Sequence, residues 1–160
     1  MASNKPVIRQ IAWISMIPQL IVMVILVMLF GRLIRPFEYA LIVAMLFYLF
    51  VSNLLRNLVP RHHRKGIALY KAGNYTQAIG EYEKSYAFFT EHAWIDKYRF
   101  IVLLSSSRIS YTEMALLNIA FCYAQMGDGN RAKEYYEKVL EQFPDSEMAK
   151  SALRMLMSGV

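Results

Sequence analysis

The sequence predicts an all-α protein: a hairpin of two apolar helices, then a short array of soluble helical hairpins closed by a capping helix. Two observations carry this. Residues 1–59 hold two long runs almost free of charge, and residues 60–160 contain one hairpin pattern that occurs twice.

Hydrophobic residues make up 56% of the 160, above the usual globular share, and the excess is local. Ile11 to Phe30, "IAWISMIPQLIVMVILVMLF", carries no charge; at about 1.5 Å per residue its length matches a bilayer core of about 30 Å. A spanning helix over about 11–30 is expected, in which lipid tolerates Pro18. The turn "GRLIRP" leads to "FEYALIVAMLFYLFVSNLL", uncharged from Tyr39 to Leu55, and predicts a second span over about 38–55. The first run is longer than the apolar region of a cleaved signal peptide, and it leads into another apolar run.

Basic residues flank these runs unevenly. Lys5 and Arg9 precede the first, Arg56, Arg61, Arg64 and Lys65 follow the second, and the turn has only Arg32 and Arg35. Lys and Arg near spans favour the cytoplasmic side, so the expectation is an integral protein of the cytoplasmic (inner) membrane with both termini in the cytoplasm. Residues 1–59 carry net +4 and residues 60–160 net +2. The basic surplus therefore reads as a collar facing the lipid bilayer, and nucleic acid is not an expected partner. The single Cys122 lies in an apolar helical pattern and suits a small core residue.

The repeated pattern is "KAGNYTQAIGEYEKSY" (71–86) and "QMGDGNRAKEYYEKVL" (125–140), which align at a constant offset of 54. Gly73 meets Gly127, Ala78 meets Ala132, and Tyr82-Glu83-Lys84 meets Tyr136-Glu137-Lys138. Apolar residues of helical period flank each glycine, so each copy predicts helix, turn, helix. Small residues at Gly66, Ala78, Ala120 and Ala132 allow close helix approach, and Tyr82 and Tyr136 are placed to fill the space between hairpins.

Small residue, aromatic, turn glycine, early alanine, aromatic four later and closing Pro144: this order resembles the tetratricopeptide repeat family. The resemblance covers about 61–90 and 112–145, and 146–157 resembles the helix that caps such arrays. The family period is about 34, so about twenty more residues separate the two copies. In this insertion, about 91–111, the first part reads as an extension of the helix begun near Thr76. "SSSR" reads as a break, "SYTE" as a capping box with Ser110 capping and Glu113 answering, and "RFIVLL" fits helix or strand. Because a stable array normally needs about three repeats, two uses of the insertion stay open. Trp94, Tyr98, Ile101 and Leu104 could pack across the hairpins in place of a third repeat, or Trp94, Lys97, Tyr98 and Arg99 could rest on the membrane.

No catalytic or cofactor constellation stands out, so an enzyme is not expected. His62-His63 lies in a basic run, and Glu91, His92 and Asp96 share one predicted helix at a spacing common by chance; neither group makes a metal site. The resemblance implies protein–protein interaction, with a peptide or helix of a partner received in a groove lined by the first helices. Carried over by position, that groove comprises His63, Ile67, Tyr70 and Lys71, then Met114, Leu117, Phe121, Ala124 and Gln125, unless the insertion covers Ile67, Leu117 and Phe121, a reading that stays equally open. The expected function is a membrane-anchored adaptor or scaffold. The alternative is an accessory subunit of a membrane protein complex, or a homo-oligomer, with the spans as the main interface.

Overall fold

The computed structural model describes residues 16–105 and 107–158. Lys5, Arg9 and the start of the first apolar run lie outside them. Regular structure among the described residues is helical: α1 (Met16–Leu33), α2 (Phe37–Leu58), α3 (Arg61–Lys71), α4 (Tyr75–Glu91), α5 (Ala93–Lys97), α6 (Arg99–Val102), α7 (Tyr111–Gln125), α8 (Gly129–Gln142) and α9 (Glu147–Met157). Two compact units divide them. One holds the residues up to Leu55 with Tyr98–Ile109, the other Arg56–Lys97 with Ser110 onwards.

In the first unit, α2 is a 22-residue helix with a mean hydropathy of 1.8, long and apolar enough to cross a membrane. The apolar helix beside it, Ile17–Leu33, is shorter over the described residues. Phe30 and Phe47 meet edge to face at 5.6 Å. Ala40, Ala44 and Ser52, at spacings of four and eight, form the buried stripe of α2, and large side chains such as Leu46 and Phe50 point outward. The insertion contributes α6, which packs on α1; Gln19 Nε2 donates to the Leu104 carbonyl at 3.2 Å. After α6 the chain wraps around one side chain. Arg99 Nε donates to the Ser107 carbonyl and Nη2 to the Arg108 carbonyl, at 3.1 and 2.7 Å. Those bonds turn the backbone back after Leu103 and Leu104, which are buried.

The second unit is built from two hairpins, α3–α4 and α7–α8, with α9 against α8 and α4 against α7. Their turns share the same two closing bonds. Gly73 and Gly127 both have φ +79, a left-handed conformation that glycine adopts without a Cβ penalty. Gly73 N–H donates to Tyr70 O and Asn74 N–H to Leu69 O; 54 residues on, Gly127 N–H donates to Ala124 O and Asp128 N–H to Tyr123 O. Each is a Schellman ending, which satisfies carbonyls the helix leaves unpaired. In each copy the small residues are buried and the aromatic fills the space beside them. Ala78, Tyr82, Ile119 and Cys122 form one cluster, Ala120, Ala132, Tyr136, Val139 and Ala149 another.

The insertion departs from the expected helix extension. α4 stops at Glu91, capped by His92, whose N–H donates to Phe88 O and whose ring stacks on Phe88 at 4.7 Å. The chain turns there because Asp96 is needed elsewhere: its carboxylate accepts Tyr111 N–H (2.9 Å), Thr112 N–H (2.9 Å) and Thr112 Oγ1–H (2.8 Å) at the start of α7. "RFIVLL" resolves into one turn of helix and a bend. Trp94 is exposed, and Tyr98, Ile101 and Leu104 belong to the first unit, the first two of them exposed. Within the second unit an aromatic cluster joins the two hairpins: Phe89 stacks on Tyr111 at 4.6 Å and 9°, and His63 meets Tyr111 and Tyr82 edge to face, each at 5.5 Å.

Candidate binding surface

The face presented by α3 and α7 follows the repeat. Three of the four pairs of positions related by 54 residues have matching depth: His63 and Leu117 are 5% and 7% exposed, Tyr70 and Ala124 are both half-buried, and Lys71 and Gln125 are exposed, whereas Ile67 is exposed and Phe121 half-buried. Positions four apart share a helix face, so the gradient comes from packing: Tyr82 and Tyr111 close over His63, while Ile67 on the same face stays open. His63 and Leu117, expected to line a groove, are buried beneath this face. The accessible layer is Ile67, Tyr70 and Phe121 with Lys71 and Gln125 at one end, and Met114 is half-buried near the start of α7. Tyr70 and Phe121 lie with ring centroids 5.6 Å apart and Tyr70 also meets Tyr75 at 5.4 Å. The pair forms an apolar platform bridging the two hairpins. Burial raises the Tyr70 pKa, so its hydroxyl stays neutral and can donate a hydrogen bond at the rim.

Beneath this face, burial lowers the His63 pKa to about 4, opposed by the Asp96 carboxylate nearby. The imidazole is thus neutral at pH 7, and its Nδ1 has no hydrogen-bond partner among the described residues. It packs as a flat ring between Tyr82 and Tyr111.

A second polar centre lies where α3 meets α4. Glu81, 5% exposed, faces His62 Nδ1 at 2.8 Å, Lys84 Nζ at 3.0 Å and Lys65 Nζ at 3.1 Å. The hydrogen bond from His62 and those from both lysines outweigh its burial and hold the carboxyl at about 2. Of the membrane-flanking set, Lys65 is thus tied to Glu81, Arg64 donates to Asn57, and Arg61 is exposed.

Sequence reasoning missed Asp96 and Glu81. Asp96 stood only in a chance trio with Glu91 and His92, and its real partners lie 15 and 16 residues away. No local pattern signals such a cap. Glu81 had a readable signal, since Lys84 follows at i+3 and Lys65 and His62 share a face of the preceding helix, but only packing brings the helices together. Ser110, by contrast, was legible: its Oγ accepts Glu113 N–H at 3.1 Å.

The tetratricopeptide repeat family model matches residues 114–146, which span the second hairpin up to the start of α9. No curated protein and no solved structure matches the chain. The match supports a tetratricopeptide-like repeat, a type of module whose general role is to bind other proteins.

Proposed function

We propose that this chain is a membrane-anchored adaptor: its two N-terminal apolar helices span the cytoplasmic membrane as a hairpin, and the repeat unit on the cytoplasmic side takes an amphipathic helix of a partner protein. The observation that carries the reading is the platform of Tyr70 and Phe121, flanked by exposed Ile67. Apolar anchors recurring along parallel first helices suit a ligand whose own apolar residues recur at helical spacing. Lys71, exposed in the last turn of α3, favours an acidic side chain at the rim of that ligand. Tethering both proteins to one membrane raises their effective concentration, so a weak two-repeat site suffices.

The spanning reading rests on the length and composition of α2, the outward apolar side chains of α1 and α2, and the basic residues that follow. The exposed Trp94, Tyr98 and Ile101 suit the interface between lipid and water, where aromatic residues collect.

The test couples binding to folding. Phe121→Ala in the full-length protein, reconstituted in bilayers, weakens capture of its membrane partner by about 2 kcal/mol, while labelling of the buried Cys122 thiol stays slow. Undiminished capture refutes the groove. Capture lost together with Cys122 protection makes Phe121 a core residue and moves the binding surface elsewhere. For topology, a cysteine placed beside Arg32 in a Cys122→Ala background reacts with an impermeant reagent added outside intact cells; protection there with labelling at the termini overturns the orientation.

A further inference from the structure

Beside the Glu81 centre the second unit has a cavity of about 510 Å³ that no part of the adaptor reading uses. Its lining has two characters. Arg61, His62 and Lys84 supply positive charge or hydrogen-bond donors on one side; Leu58, Phe88 and Ile95 make an apolar wall on the other. Glu91 is the acid on the lining. Glu81 draws in Lys84 and His62 from behind and fixes them in place, whereas Arg61 has no carboxylate partner among the described residues. A site that is basic at one end and greasy at the other suits an amphiphilic anion.

Chain continuity sets its depth. Leu58 is both the last residue of α2 and part of the cavity wall, so a helix that crosses the hydrocarbon core delivers the cavity to the headgroup layer. We propose that the cavity binds one anionic phospholipid, its phosphodiester held by Arg61 and Lys84 and the upper carbons of its acyl chains lying against Leu58, Phe88 and Ile95. The planar guanidinium of Arg61 offers two parallel N–H donors to the phosphate oxygens, and the Lys84 ammonium adds a second charge. Hydroxyls of a glycerol headgroup can donate to Glu91, which makes phosphatidylglycerol the natural probe. The site rests on the reading of α2 as a membrane span.

The experiment uses full-length protein reconstituted in phosphatidylcholine vesicles containing trace spin-labelled lipid, and compares the immobilised fraction of labelled phosphatidylglycerol with that of labelled phosphatidylcholine. The wild-type protein prefers the anionic lipid. Arg61→Gln with Lys84→Gln lowers the preference up to about thirtyfold, given about 1 kcal/mol for each of the two basic residues at the surface. Lys133→Gln with Arg154→Gln removes equal charge from exposed positions away from the cavity and leaves the preference unchanged. Ala87→Trp, at an exposed position on the cavity lining, fills the space without altering charge and abolishes the preference while Cys122 stays protected. Equal losses in both charge pairs, or a preference that survives Ala87→Trp, overturn the site and leave a diffuse basic collar. If neither labelled lipid is immobilised, α2 is not in the bilayer, and the membrane reading falls together with the site.

Discussion

Gly66 lies in the middle of α3, buried against the ring of Tyr82. A Cβ built on it would stand 2.7 Å from Cε1, 2.8 Å from Cδ1 and 3.0 Å from Cζ of that ring, well inside the separation of about 3.5–4.0 Å at which carbon atoms attract. Tyr82 is 1% exposed and enclosed by Ala78, Ile79, Ile119 and Cys122, so the ring has no solvent into which to swing. Gly66→Ala therefore overpacks the hairpin at a cost of about 1–3 kcal/mol, against a gain in helix propensity of about 1 kcal/mol. Gly80 provides the control. It is also inside a helix, but a Cβ there meets nothing within 4 Å, so Gly80→Ala receives the propensity gain alone. Propensity cancels between the two variants, leaving a difference of about 1–3 kcal/mol that belongs to the contact with Tyr82. Cys122 reports it: the thiol is 0% exposed, its pKa pushed up to about 11 by burial, and it reacts only when the unit opens. Gly66→Ala should label about 5- to 150-fold faster than Gly80→Ala. Equal rates for the two would refute the close approach of α3 to Tyr82.

Three further outcomes follow from named groups. His63 titrates at its ordinary 6.5 in the unfolded chain and at about 4 in the fold; between these the unfolded chain holds the extra proton, so stability falls by about 3 kcal/mol as pH drops from 6.5 towards 4. Urea unfolding followed by near-ultraviolet circular dichroism should show this slope in the wild-type protein and a shallower one in His63→Phe; an identical slope in both would refute it. Glu81, depressed from 4.5 to about 2, adds loss in the same direction at lower pH, and Glu81→Gln should remove the portion below pH 4.5. Asp96→Asn keeps the shape but sets an amide against backbone donors at the start of α7, and costs about 2 kcal/mol in the same unfolding measurement; no loss would show that Ser110 suffices as the cap.

The hairpins were legible because their determinants are local. A left-handed turn needs a residue without Cβ, and Gly73 and Gly127 stand where the 3.6-residue pattern stops. Ser110 has its partner three residues away, so its cap could be read directly. The second copy keeps the family's closing Pro144 and is the one the family model matches; the first lacks it, yet forms the same turn, because the turn depends on Gly73 and the pairing on Ala78 and Tyr82. The insertion was misread for the converse reason. Residues 91–97 have helical propensity, and nothing nearby forbids their continuing α4. What stops them is the demand of three donors at a helix start 15 residues further on, a tertiary override of local preference.

By itself, then, the order of residues determined the two apolar runs, the repeat and its offset, since hydrophobic period and turn chemistry act over a few neighbours. Packing alone decided which of the repeat positions are buried and which are surface. His63 and Ile67 lie four residues apart on one helix and carry no sequence mark of depth; His63 is buried because Tyr82 and Tyr111 close over it, and Ile67 stays open. The destination of Asp96 and the gathering of His62, Lys65 and Lys84 on Glu81 were also decided in three dimensions. A buried carboxylate must find donors wherever the fold brings them, and in this protein most of them come from other helices, Lys84 alone standing on Glu81's own.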